Sequence, residues 1–127
     1  MTDEIQWLLT RSKDGIKATE LMISNDLHHS AVSEGYYAMF YLAQALILDK
    51  GRNASTHKGV LTLFSALYVK TGEMDRSFSV MLANAFAARG KADYEIGIDI
   101  DKDEAKTVLA DARTFYEAAR QKLQTDK

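Results

Sequence analysis

Apolar residues recur at spacings of three and four along five stretches of the chain, and the polar segments between them are short. That period puts the apolar positions on one face of a helix. The first stretch runs from about Asp3 to Ser24, with Ile5, Leu8, Leu9, Ser12, Ile16, Thr19, Met22 and Ile23 on its inner face. Gly15 weakens it by roughly 1 kcal/mol relative to alanine. Asn25-Asp26 ends it and is expected to cap the next helix. The second stretch, about Leu27 to Asp49, is apolar on nearly every side from Tyr36 to Leu48. Such a helix is central to its bundle or partly buried in a partner. Five helices in a small domain rarely enclose one of their number fully, so a homodimer or a partner surface is expected here. Lys50-Gly51 closes the helix with a cation and a cap glycine.

Ser55 or Thr56 caps the third helix, which carries Val60, Leu61, Phe64, Leu67 and Tyr68 and stops at Thr71-Gly72. Asp75 caps the fourth, in which Phe78, Met81, Leu82, Ala85 and Phe86 share one face. The next position on that face is Arg89, where the helix nears its end. Ile96 to Ile100 contains Gly97 and has no helical period, so it is a short connection. Asp101-Lys102-Asp103-Glu104 resembles a capping box with Asp as the cap. The fifth helix then carries Ala105, Val108, Leu109, Ala112, Phe115, Tyr116, Ala119 and Leu123. Gln124 to Lys127 should fray. Short connections favour antiparallel neighbours. The expectation is an all-α, five-helix, antiparallel up-and-down bundle forming one domain over residues 1–127.

Composition narrows the chemistry. With 46% hydrophobic and 27% charged residues, the chain has the balance of a soluble globular fold. It has no proline, which suits long helices. Nor has it cysteine, which excludes disulfides, thiol catalysis and thiolate metal sites. The net charge of −2 argues against coating nucleic acid by bulk electrostatics, so any such contact is local. The acidic start Met1-Thr2-Asp3-Glu4 lacks a basic leader, and the longest apolar run is too short to span a membrane. A cytoplasmic location follows as an expectation.

Arg89 is always charged and points toward the bundle, so it needs an anion or several acceptors. Asp93, one turn on, or a phosphate could serve. The segment Arg89-Gly90-Lys91-Ala92-Asp93-Tyr94, together with Ser33-Glu34-Gly35-Tyr36-Tyr37-Ala38-Met39-Phe40-Tyr41, Thr56-His57-Lys58-Gly59-Val60 and Ala112-x-x-Phe115, resembles the HEPN family over most of the chain. Many members carry Arg-x4–6-His just before the last helix, which resembles a metal-independent ribonuclease site. There the RNA 2′-hydroxyl attacks the adjacent phosphate, arginine stabilises the developing charge and histidine moves protons. Here the residue five after Arg89 is Tyr94, and no histidine follows His57. Tyrosine, with a pKa of about 10, is a poor general base. The resemblance further implies pairing with a minimal nucleotidyltransferase in a toxin–antitoxin-like system. In some members a motif tyrosine accepts the transferred nucleotide, and Tyr94 is the counterpart, in a different register.

Three readings follow. The chain is a nucleotide- or RNA-binding module, with Arg89, Asp93, Arg52 and Lys58 as phosphate-binding candidates. Alternatively it is an endoribonuclease using Arg89 with Tyr94 or a spatially recruited His57. Or it is a structural interaction protein in which Arg89 and Asp93 form an ordinary ion pair. Arg52 and His57 also satisfy Arg-x4-His, in a loop outside the family's position, where the third helix's N-terminus and Lys58 favour an anion. His28 and His29 point about 100° apart and make a poor chelate, although Asp26 could reach His29. They are read as surface residues, and no metal or cofactor is expected. Tyr36, Tyr37 and Tyr41 are flanked by Ala, Met and Leu. They are read as core and interface, since RNA-stacking aromatics normally sit beside basic residues.

Overall fold

The computed structural model describes residues 1–125, and over them the chain is helical with no strand. The elements are α1 (Asp3–Ser24), α2 (His28–Asp49), α3 (His57–Phe64), α4 (Arg76–Tyr94) and α5 (Lys102–Thr125), with a π-helical turn at Ser65–Val69 continuing α3. Gln124 and Thr125 still belong to α5, while the remaining residues of the expected frayed end, Asp126 and Lys127, lie outside the described residues. No helix among the described residues is long and apolar enough to cross a membrane.

α2 is the central element and packs against α1, α3, α4 and α5. Its apolar girth is therefore covered largely from within the chain. Tyr36, Ala38, Met39, Phe40, Leu42, Ala43, Ala45, Leu46 and Ile47 are all buried. Tyr37, Tyr41, Gln44 and Leu48, one helical stripe, are only partly covered. Four neighbouring helices cover all but this stripe, so on α2 the surface left for the expected partner is confined to it.

Close contacts set the packing. Gly35 lets α5 approach, because a Cβ there would lie 2.6 Å from a Val108 methyl. Ser12 Oγ donates to the Ala38 carbonyl at 2.8 Å, which ties α1 to α2 without an unsatisfied hydroxyl. Tyr68, on the π-helical turn, donates from its hydroxyl to the Leu46 carbonyl of α2 at 2.6 Å. The sequence gives no hint of this turn. Its widened backbone is marked by the Lys70 N–H reaching the Ser65 carbonyl at 2.9 Å.

The helix ends follow side-chain chemistry with two departures. Thr2, Thr56 and Asp75 cap α1, α3 and α4 by accepting backbone N–H bonds. Gly51, at φ 73°, ends α2, with the Arg52 N–H reaching back to the Ile47 carbonyl at 3.2 Å. Asp26 does not cap α2, whose cap Leu27 has no side-chain bond. It adopts φ 61° and forms the same left-handed terminus for α1, with the Leu27 N–H bonded to the Met22 carbonyl at 2.8 Å. The capping box of α5 is half-formed. Asp101 accepts from the Glu104 N–H at 2.8 Å, but the Glu104 carboxylate turns to Lys91 at 2.9 Å. That pair raises the Lys91 pKa and ties α4 to α5 beside the connection.

Candidate functional site

Arg89 lies where the α4 stripe predicts, turned inward, with its side chain only 12% exposed. Its guanidinium rests 5.3 Å from the Tyr37 ring centroid, 5.4 Å from that of Tyr94 and 5.9 Å from that of Tyr36. Its Nε donates to Asp93 Oδ2 at 3.2 Å, and one Nη donates to the Tyr94 hydroxyl at 3.2 Å. A guanidinium has five N–H donors. The rest have no acceptor among the described residues, since ring faces supply charge attraction but no hydrogen-bond acceptor of comparable strength. Asp93 is itself oriented by Ser33 of α2, whose hydroxyl donates to Oδ1. Tyr94, the last residue of α4, is 72% exposed.

His57 comes to the same place from α3. Thr56 caps that helix by accepting the Gly59 N–H at 3.0 Å, which fixes His57 as the first helical residue. Gly59 leaves the Thr56 hydroxyl close to the backbone, where a Cβ would lie 2.6 Å from Oγ1 and force the hydroxyl to shift. The imidazole stacks on Phe86 of α4 at 5.5 Å and 23°, and its centroid lies 5.6 Å from that of Tyr36 and 5.9 Å from that of Tyr37. Tyr36 Oη and His57 Nδ1 are 2.8 Å apart. Burial and, second, the positive charge of Arg89 push the His57 pKa down, so the ring is neutral near pH 7. Burial also drives the Tyr36 phenol well above the usual tyrosine range, so it keeps its proton. Tyr36 is fully buried and its Oη has no other partner among the described residues, so its proton is satisfied by donating to Nδ1, which leaves the His57 proton on Nε2. Nε2 makes no hydrogen bond among the described residues. The arrangement thus offers two kinds of open donor, guanidinium N–H and imidazole N–H, around one set of tyrosine rings.

The structure therefore brings together Arg89, Asp93, Tyr94 and His57, and adds Tyr36 and Ser33, which the sequence does not single out for this place. Arg52 and Lys58 stay outside. Both are exposed, and neither contacts Arg89, Asp93 or Tyr94. Arg52 contributes its backbone N–H to the end of α2. The reading of His28 and His29 as surface residues is corrected for His28, whose side chain is 16% exposed and lies 3.7 Å from Asp26. His29 does not meet Asp26; its Nε2 lies 2.8 Å from the Ile98 carbonyl and tethers the α4–α5 connection to α2. Among the described residues, no three His, Asp or Glu side chains converge as a metal site would require.

A bundle built around a Tyr-Tyr-x-x-Phe-Tyr helix, with a buried-edge arginine at the end of the penultimate helix, defines a class. The HEPN domain model matches residues 5–122, and the chain belongs to the HEPN family. Within it, the chain is 32% identical to a protein of Methanocaldococcus jannaschii named as a candidate toxin, over 94% of this chain and 82% of that protein. A second protein of that organism, also named as a candidate toxin, is 29% identical over 95% of this chain and 90% of its own. A UPF0332 protein of Thermotoga maritima is 32% identical over 90% of this chain and 86% of its own length.

Proposed function

We propose that the chain is a nucleotide- or RNA-binding module of a two-component, toxin–antitoxin-type system, working in the cytoplasm with a nucleotidyltransferase as partner. The observation that carries this reading is the state of Arg89. A guanidinium that is mostly covered, stacked among rings and left with unfilled N–H donors is suited to a phosphate oxygen. The open Nε2–H of His57 adds a neutral donor. A homodimer would present two such arginines in a shared cleft. The designation of two relatives as candidate toxins supports the two-component setting. In that setting the exposed Tyr94 hydroxyl is the acceptor candidate. Its oxygen would attack the α-phosphorus of ATP, forming a phenol–phosphate ester with pyrophosphate as leaving group and the phenolic proton passing to solvent.

A second reading, a metal-independent endoribonuclease, is favoured by the convergence of His57 on Arg89. The proton-moving group missing after Arg89 has a spatial replacement. RNA cleavage by the purified protein in EDTA, wild type beside Arg89→Ala, decides between them. The binding reading expects no cleavage by either. Cleavage by the wild type alone would establish the ribonuclease and make His57→Ala the next variant.

A further inference from the structure

The aromatic cluster does not stop at Arg89. Tyr37 lies 6.2 Å, centroid to centroid, from Tyr41 one turn along α2. Tyr41 meets Trp7 of α1 edge to face at 6.4 Å. Arg11, one turn after Trp7, holds its guanidinium 5.6 Å from the Tyr41 centroid, as Arg89 sits over Tyr37. Apart from that ring, the Arg11 side chain has no ion pair or hydrogen bond among the described residues. Both ends of the row are open: Trp7 is 59% exposed and Tyr94 72%. Rings and guanidiniums are thus interleaved from Trp7 to Tyr94, although in sequence each tyrosine of α2 stands among Ala, Met and Leu. The basic neighbours that those tyrosines lack in the chain are supplied by α1 and α4.

Such a row fits a ligand carrying both flat faces and negative charge. Single-stranded nucleic acid has both, with bases that stack on exposed rings and phosphates that take guanidiniums. A second copy of this chain fits less well. A two-fold contact must be complementary to itself. This row has two guanidiniums, and the carboxylate that Arg89 contacts, Asp93, is already held by Arg89 and Ser33. The net charge of −2 is no obstacle, because the cations needed are local to the row.

We propose that this row is a track for single-stranded RNA leading out of the Arg89 site, with a base stacked on Trp7 and phosphates held by Arg11 and Arg89. The track rests on the reading of Arg89 as a phosphate site, and the test separates the two. Trp7 is the only tryptophan in the chain, so its fluorescence reports on that end of the row. Wild type, Trp7→Ala, Trp7→Phe, Arg11→Ala and Arg89→Ala would be titrated with a labelled eight-nucleotide single-stranded RNA and with AMP. The octamer should quench Trp7. Its affinity should fall about tenfold in Trp7→Ala and Arg11→Ala and hold in Trp7→Phe, as expected for loss of one stacked base. AMP affinity should depend on Arg89 alone. If Trp7→Ala and Arg11→Ala bind the octamer as wild type does while Arg89→Ala does not, the track is overturned and the phosphate site stands. If wild type binds neither ligand, both fall. Should Trp7→Ala turn a dimer into a monomer in sedimentation without weakening octamer binding, the row is a contact between copies and the proposal is wrong.

Discussion

At the scale of single residues, the pairing of Tyr36 with His57 decides what the site can donate. A phenol that keeps its proton and has one acceptor fixes that acceptor's tautomer. His57 is thereby presented in its neutral form with Nε2–H outward, as a hydrogen-bond donor. Its titration should show this. Followed by NMR, the His57 imidazole should titrate below the usual histidine value of about 6.5. Because Arg89 is the second cause of the depression, Arg89→Gln should move the midpoint upward, and burial should keep it from rising fully. Tyr36→Phe should release Nδ1 and mix the tautomers. A midpoint at or above 6.5 in the wild type would mean that His57 is not held against Arg89. Arg89 itself is legible in the sequence, because the α4 stripe of Phe78, Leu82, Ala85 and Phe86 runs straight into it. The meeting with His57 is not legible. The local spacing ties His57 to Arg52, yet Arg52 is exposed and only the tertiary packing of α3 on α4 supplies the working neighbour.

At the scale of helices, two glycines that both lie inside a helix have opposite structural roles. Gly35 is buried at the α2–α5 crossing, and Gly35→Ala should cost about 1–3 kcal/mol by overpacking against Val108. Gly90 lies inside α4 with nothing within 4 Å of a Cβ. Gly90→Ala should therefore stabilise by about 0.5–1 kcal/mol through helix propensity alone. Urea unfolding of both variants checks the pair, and a Gly90→Ala that destabilises would contradict the open face of α4. Helix existence and order are readable because amphipathic period and caps agree at Thr56, Asp75 and Asp101. The misreading of Asp26 has a simple cause. Asp serves both as an N-cap and as a left-handed terminus, and the Leu27 N–H bond to Met22 selects the second. The π-helical turn after α3 leaves no pattern at all, since Leu67 and Tyr68 continue the helical period while the backbone widens beneath them.

At the scale of the whole molecule, α2 is the axle on which the other helices and the site depend. Its C-terminal end is anchored by Glu73, which takes Lys50 following α2 and Lys122 of α5 at 3.6 Å, with Thr71 at 3.1 Å. The hydrogen bond from Lys50 is the main cause that holds the Glu73 pKa below the ordinary glutamate value. A carboxylate lowered in the fold contributes stability above its unfolded pKa and loses it as pH falls through the folded one. Glu73→Gln should therefore lower the thermal midpoint at pH 7 and flatten its decline below about pH 4.5; a midpoint unchanged at pH 7 would count against this anchor. At the other end, the row from Trp7 to Tyr94 and the open donors of Arg89 and His57 form the surface on which function turns. Its aromatic half is visible in the sequence as a Tyr-rich helix. Its cationic half is not, because Arg11 and Arg89 reach the tyrosines only through packing. The most direct test is equilibrium binding of a short single-stranded RNA, in EDTA, to wild type and Arg89→Ala, with folding of both confirmed by circular dichroism. The account predicts saturable binding by the wild type and a loss of tenfold or more, about 1.4 kcal/mol, in the variant. Equal affinity in the two proteins would contradict it.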